Sequence, residues 1–291
     1  MWRFLFLAVG LTWLTGCTFF TQPDPPPNPK LLVLGHAGSG FFTPINPFNF
    51  RPPSSWLGVQ YALDLGADGV EVDLQLSRDS VVMLYHDQKL EDLSTGTGCI
   101  SQHTAAELVQ LRYRGGWPYD WFQHEQPITF DTLLARLGRR PTFPRLHLDL
   151  HEDDPCLAPG QPLRSPALLR HIAASVRRHR VPVEKLLLVT QVAATLRQAR
   201  VTLPGMALGL EVNTDDFATG LRLAQAEKAY ALVLGSGRVT PAQTAQAHAA
   251  GLKVTVFGGR SNKSLRRVLA SQPDEVEADN LKRMLELQGR R

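Results

Sequence analysis

The sequence predicts an α/β protein, a (β/α)8 TIM barrel with a small insertion after its second strand, and three observations predict it. From Leu31 onward, short apolar runs rich in β-formers alternate with helical patterns, which is how βα units around a parallel sheet read. There are eight such runs, more than the five or six of an open doubly wound sheet. Polar residues with useful chemistry gather at the C-terminal ends of the runs, where barrels of this kind carry their active sites.

In chain order the strands are Leu31–His36, Gly69–Gln75, Leu146–His151, Leu186–Gln191, Ala207–Val212, Ala231–Gly235, Lys253–Phe257 and Glu275–Ala278. Helices fall between them, for example Ser54–Leu65 with a serine at its start, Pro166–Arg178, and Pro241–Ala250 with Thr240 as cap and Gly251 as stop. Val81–His86 is an extra strand. Asp73 and His86 are too close in sequence for a crossover helix, and Ser77-Arg78-Asp79-Ser80 has turn composition, so the chain doubles back as a hairpin. Residues 88–145 form the one long excursion, read as a small insertion over the barrel mouth, about 88–126, followed by the barrel's second helix.

At 291 residues and 43% hydrophobic content, the chain can bury one core of barrel size. Its formal charge of +4 includes Arg3 and is spread without a basic run, so nothing points to nucleic acid. Residues 1–16 read as a signal peptide, with Arg3 ahead of an apolar stretch. Leu14-Thr15-Gly16-Cys17 resembles the bacterial lipobox, in which the cysteine is acylated and becomes the new N-terminus. Residues 17–30 then form a lipidated cysteine and a Pro-rich tether, and 31–291 the catalytic domain. This predicts a membrane-anchored lipoprotein of the bacterial cell envelope. The two remaining cysteines, Cys99 and Cys156, either pair or stand as separate thiols.

The richest stretch is GADGVEVDLQLSRDSVVMLYHD, residues 66–87. Period two in a strand puts Glu71 and Asp73 on one face, and the hairpin returns His86 to the level of Asp73. Two ionised carboxylates on one face repel and call for a cation. His36 ends the first strand, Asp149 and His151 the third, and Glu211 the fifth. Asp87 orients His86 or caps the turn, and His147 is a residue of the barrel interior without a role. Trp117, Tyr119, Trp121 and Phe122 are read as the insertion's own core, the other reading being a wall for the substrate's alcohol. Phe41, Phe42 and Phe48 follow His36, where exposed aromatics would suit a lipid headgroup or membrane surface.

These residues resemble the glycerophosphodiester phosphodiesterase family from about Leu31 to Met284. The resemblance is carried by GHAGSG, the 66–90 block, STGTG, TAAELVQL, ITFDTLLARL, LHLDLH and VEADN. It implies a phosphodiesterase barrel that hydrolyses glycerophosphodiesters to glycerol 3-phosphate and an alcohol with a bound Ca2+ or Mg2+. It also implies His36 and His86 as catalytic residues and Glu71, Asp73 and Asp149 as metal ligands, Asp149 standing where the family usually has glutamate. Hard cations take carboxylate oxygens, and histidines with pKa near ~6.5 suit proton transfer at neutral pH.

The departures lie inside the site. The family's His-Arg-Gly is here His36-Ala37-Gly38, so the phosphate-contacting arginine is missing. Counting back from Gly66, Pro53 stands where the Pro-Glu-Asn-Thr motif has a metal-binding glutamate. A lysine of the third strand is replaced by His151. Arg51 or protonated His151 is expected to replace the charge, and an asparagine of residues 44–50 or Glu211 the ligand. The alternatives are a phospholipase of related barrels acting on intact phospholipid, and a silent barrel that binds phosphorylated ligands.

Overall fold

The structure is a computed structural model that describes residues 24–42, 49–158, 164–212, 214–237 and 239–290. Residues 1–16, Cys17, Asn46 and Phe48, on which several expectations rest, lie outside the described residues.

The elements in order are β1 (Leu32–Gly35), α1 (Trp56–Asp64), β2 (Gly69–Leu76), β3 (Val82–Leu84), α2 (Leu90–Leu93), α3 (Ala105–Leu108), β4 (Ile128–Thr129), α4 (Phe130–Leu137), β5 (Arg145–Leu150), α5 (Ser165–Arg178), β6 (Leu186–Thr190), α6 (Ala193–Thr202), β7 (Ala207–Val212), α7 (Phe217–Ala226), β8 (Ala231–Gly235), α8 (Pro241–Ala249), β9 (Lys253–Gly258), α9 (Asn262–Ala270), β10 (Glu275–Ala278) and α10 (Leu281–Leu287). The strands β1, β2 and β5 through β10 pair in parallel, and β1 closes the ring by pairing with both β10 and β2. This is the expected (β/α)8 barrel. The short strands β3 and β4 extend it antiparallel from the upper half of β2, with Leu74 opposite Leu84. The backbone N–H of Tyr85 donates to the carbonyl of Asp73 at 3.2 Å, which returns His86 to the mouth as expected.

Local chemistry explains the elements. The strand β6, LLLVT, is buried throughout, as a parallel strand covered on both faces must be. Along α4 the residues Phe130, Leu133, Leu134 and Leu137 are buried, the spacing of one helical face. Thr240 caps α8 in a reciprocal pair with Gln243, and Pro241 sits in the first turn where its missing N–H costs nothing. At α1 the expected start shifts by one: Ser55 accepts the capping bond from the Gly58 N–H, while Ser54 turns into the barrel with φ 54°.

The barrel interior is divided. One side is apolar, with Leu187, Val189, Ala231 and Val233 packed together. The other holds a buried ionic layer, in which His147 lies 3.1 Å from Glu275 and 2.5 Å from Glu277, and Arg145 lies 2.6 Å from Glu275. His147 therefore points inward as expected.

The insertion has a small core of its own, built from Met83, Tyr85, Leu90, Ile100, Leu108 and Tyr113. Only Tyr119 of the four aromatics assigned to that core is buried. Trp117, Trp121 and Phe122 are 78%, 71% and 60% exposed, which corrects the expectation. The small core is filled from residues 83–113, including Tyr85 and Tyr113, and Trp117, Trp121 and Phe122 stay on the outside. Cys99 and Cys156 form a disulfide that ties the insertion to the loop after β5 across 57 residues.

Candidate active site

The site grows out of strand ends. At the end of β1 the chain turns sharply: Ala37 has φ 44°, and the Gly40 N–H returns to the His36 carbonyl at 2.7 Å. Gly40 has φ 80°, and a Cβ there would meet the Asp279 carbonyl oxygen at 2.0 Å. Only glycine lets this turn pack against the backbone that follows β10. His36 is held there by its Nδ1, 2.7 Å from Asp279 Oδ1. On the other side of the mouth His86 is held the same way, its Nδ1 2.5 Å from Asp87 Oδ1. Phe41 stands edge-on between them, with ring centroids 5.2 Å from His36 and 4.8 Å from His86.

Below the histidines lie the carboxylates. The registers Glu71↔His147 and Asp73↔Asp149 place Asp73 and Asp149 side by side on neighbouring strands. A cavity of about 210 Å³ brings His36, Glu71, Asp73, His86, Asp149, His151, Glu211 and Glu277 to one space. A wider groove of about 520 Å³ adjoins it, sharing His86, Asp149 and His151 and running under the insertion past Asp92 and Asp153.

The charges in this space are not independent. Burial raises the Glu71 carboxyl well above the usual range, and the charge of Asp73 adds to it. Burial and then Glu211 do the same to Asp149. Asp73 goes the other way: burial opposes its ionisation, but the charge of His86 and the hydrogen bond from His151 outweigh it and hold its carboxyl low. His151 Nε2 lies 2.9 Å from Asp73 Oδ1 and 3.7 Å from Asp149 Oδ2. Burial disfavours its charged form, yet Asp73 pushes it up to about 9. His36 likewise reaches about 9 against burial, through Asp279. His151 thus sits between Asp73 and Asp149, whose charges favour its protonated form.

The donor set fits a divalent cation. Glu71 Oε2 accepts from the Ala37 N–H at 2.6 Å, while its Oε1 is buried without a hydrogen-bond partner. Carboxylate oxygens of Asp73 and Asp149 lie within 4.8 Å of each other, with a ring nitrogen of His151 as close, which could ligate only in the neutral form. Carboxylates forced toward protonation by burial and by each other gain most from a hard cation. Cys99, Asp154 and Cys156 also cluster, but the sulfurs are joined to each other and offer no thiolate.

Of the substitutes expected for the missing family residues, the cavity holds His151 and Glu211. Arg51 is outside it, its guanidinium stacked 3.4 Å from the centroid of the Tyr61 ring, which corrects that expectation. A planar cation beside an aromatic face is drawn to the ring. Asn49 donates to the carbonyls of Ser39 and Gly40 and holds the loop instead of facing the cavity. In place of a glutamate at position 53, the neighbouring Ser54 hydroxyl donates to Asp73 Oδ2 at 2.6 Å. The sequence pointed to no role for Glu277 or Asp279, and to Ser54 only as the start of a helix. For the first two a signal existed: Glu275, Glu277 and Asp279 alternate at period two, the pattern that singled out Glu71 and Asp73.

Fold and cavity together define a (β/α)8 barrel with histidines and carboxylates clustered at its mouth. Residues 50–152 match the profile of the Glycerophosphoryl diester phosphodiesterase family. A Mycobacterium tuberculosis protein named Probable glycerophosphodiester phosphodiesterase 1 is 42% identical over 71 residues, covering 24% of this chain and 26% of that protein. A Bacillus subtilis glycerophosphodiester phosphodiesterase is 28% identical over 122 residues, 39% of each chain. The chain thus spans well under half the length of these curated relatives.

Among solved structures, an Oleispira antarctica phosphodiesterase in complex with its product sn-glycerol-3-phosphate has a TM-score of 0.72 at 21% identity, covering 88% of this chain and 96% of that one. A glycerophosphodiester phosphodiesterase from Agrobacterium tumefaciens has 0.68 at 20% identity, covering 88% and 99%. At these identities the structures show the fold.

Proposed function

We propose that the protein hydrolyses glycerophosphodiesters to glycerol 3-phosphate and an alcohol, with a divalent cation bound at the barrel mouth. The observation that carries the reading is that two histidines, each anchored at Nδ1 by an aspartate, face one cavity floored by Glu71, Asp73 and Asp149. The family segment and the product complex of the Oleispira relative supply the substrate class.

Glu71, Asp73 and Asp149 would hold the cation, with Glu211 in the same space. Bound there, Ca2+ or Mg2+ supplies charge neutralisation at the phosphoryl oxygens. His151, positively charged beside Asp73, supplies the cationic contact that Ala37 cannot make. With Nδ1 held by Asp87, His86 presents its Nε2 to take a proton from the attacking water, whose oxygen forms the new P–O bond. His36, kept protonated by Asp279, gives its Nε2 proton to the leaving alkoxide as the P–O bond to the alcohol breaks. The adjoining groove gives that alcohol room.

The test is glycerol 3-phosphate release from glycerophosphocholine, glycerophosphoethanolamine and glycerophosphoglycerol by the protein and by His36→Ala and His86→Ala. Each substitution should lower kcat by about 10²- to 10⁴-fold, the usual contribution of one acid or base. No release from any of the three would sink the reading in favour of intact phospholipid or of binding alone. The leader pattern supports acylation at Cys17 and an envelope location, read by incorporation of labelled palmitate that Cys17→Ala should abolish.

A further inference from the structure

The large aromatics left outside the insertion are not scattered. Phe42 lies 5.9 Å from Tyr119 between ring centroids, Phe50 lies 4.5 Å from Phe122, and Trp117 lies 6.0 Å from Trp121. They join the turn after β1 to the insertion, so the patch forms one rim of the active-site mouth. Exposures of 60% to 78% at Trp117, Trp121 and Phe122 are unusual for such side chains on a protein surrounded by water alone. Exposed Arg112 and Arg114 lie in the same segment.

A second, independent observation concerns where the tether leads. Asn28 is fixed at the bottom of the barrel, where its N–H donates to Gln288 just past the end of α10. From there the chain climbs the outside of the barrel to Asp24, which pairs with Arg266 at 2.6 Å and with Arg283 at 3.3 Å. Arg283 lies in the first turn of α10, three residues after the Asn280 cap and four after Asp279 of the site, so it belongs to the mouth end. Asp24 is therefore held against α9 and the first turn of α10, on the mouth side of Asn28. The seven residues from Cys17 to Asp24 reach at most roughly 25 Å.

We infer that the mouth of the barrel faces a lipid bilayer, with Trp117, Trp121 and Phe122 inserted at its interface. Tryptophan belongs at such an interface because its ring is apolar and its N–H still finds water. Arg112 and Arg114 suit anionic headgroups. The contact is a surface one, since no helix among the described residues is long and apolar enough to cross a membrane. The inference concerns orientation and holds whether or not the substrate is a glycerophosphodiester.

The experiment reconstitutes the full chain into vesicles of phosphatidylcholine and phosphatidylglycerol, with and without bromine on the acyl chains, and reads tryptophan emission. Brominated lipid should quench the wild type strongly and the Trp117→Phe/Trp121→Phe variant much less. In parallel, the chain from Thr18, which keeps the closed barrel, should float with these vesicles, and Trp117→Ser/Trp121→Ser/Phe122→Ser should weaken that binding by about tenfold or more. Because all three side chains are exposed, melting temperature and hydrolysis of water-soluble substrates should not change. Equal quenching in wild type and variant would overturn the inference, as would flotation indifferent to the triple substitution. Self-association of lipid-free protein that the triple substitution abolishes would assign the patch to a second copy and overturn it too.

Discussion

His36 Nδ1 and Asp279 Oδ1 lie 2.7 Å apart although 243 residues separate them, so the end of the first barrel strand is locked to the end of the last. The same bond keeps the His36 ring protonated, pushed up to about 9 against the cost of its burial. If His36 is the proton donor, activity should hold toward alkaline pH and fall near 9.

Asp279→Asn removes the charge that holds the proton. The alkaline limb of kcat/KM should then move down in pH toward the ordinary histidine range, with a loss in kcat of about 10²-fold. A pH–rate profile of the two proteins checks this. An unmoved alkaline limb would mean that His36 is not the acid.

The charge missing at Ala37 can be traced by a pair of substitutions. His151→Ala should raise KM for the phosphodiester and lower kcat/KM by about 10²-fold, roughly 3 kcal/mol. Arg51→Ala should leave kinetics nearly unchanged, since Arg51 stacks on Tyr61 away from the cavity. The opposite ranking in steady-state kinetics would restore Arg51 to the site.

Stability should depend on pH through the buried histidines. His147, between Glu275 and Glu277, is disfavoured as a cation by burial, but the two glutamates push it up to about 9. In the unfolded chain histidine titrates near 6.5, so between these values the native state holds the extra proton. Stability from His147 and His36 is fully present below about 6.5 and is lost as pH rises through about 9. Each contributes a slope of at most about 1.4 kcal/mol per pH unit in that window. Thermal melts in chelator should show Tm falling from pH 6.5 to 9, and His147→Gln should flatten the fall.

The Cys99–Cys156 bond closes 57 residues, which in the chain-entropy account stabilises by roughly 4 kcal/mol. Reductant, or Cys99→Ser with Cys156→Ser, should lower Tm and expose the insertion to protease before the barrel. Equal protease resistance with and without reductant would show that the core around Leu90, Ile100 and Tyr113 holds the insertion by itself.

Much of this was legible in the sequence because its signals are local. All eight barrel strands read as apolar runs, and the hairpin follows from a turn too short for a crossover. What stayed hidden depends on where a side chain turns. Nothing in Pro52-Pro53-Ser54-Ser55 says that Ser54 adopts a positive φ and bonds Asp73 while Ser55 caps the helix. Arg51 is close to His36 along the chain, yet Tyr61 one helix away captures it. Trp117, Trp121 and Phe122 read as core because large aromatics usually are, and the composition of a segment does not reveal that other residues have already filled the space.

The proposed reaction requires a cation held by the buried carboxylates. The most direct test measures glycerol 3-phosphate release by chelator-treated protein as Ca2+ or Mg2+ is returned, beside Glu71→Gln and Asp149→Asn, with cation binding followed by calorimetry. A required cation predicts no release in its absence and recovery in the wild type with saturation at the binding stoichiometry. It also predicts binding weakened in both variants. Full activity in chelator, or variants that bind cation and turn over like the wild type, would contradict it.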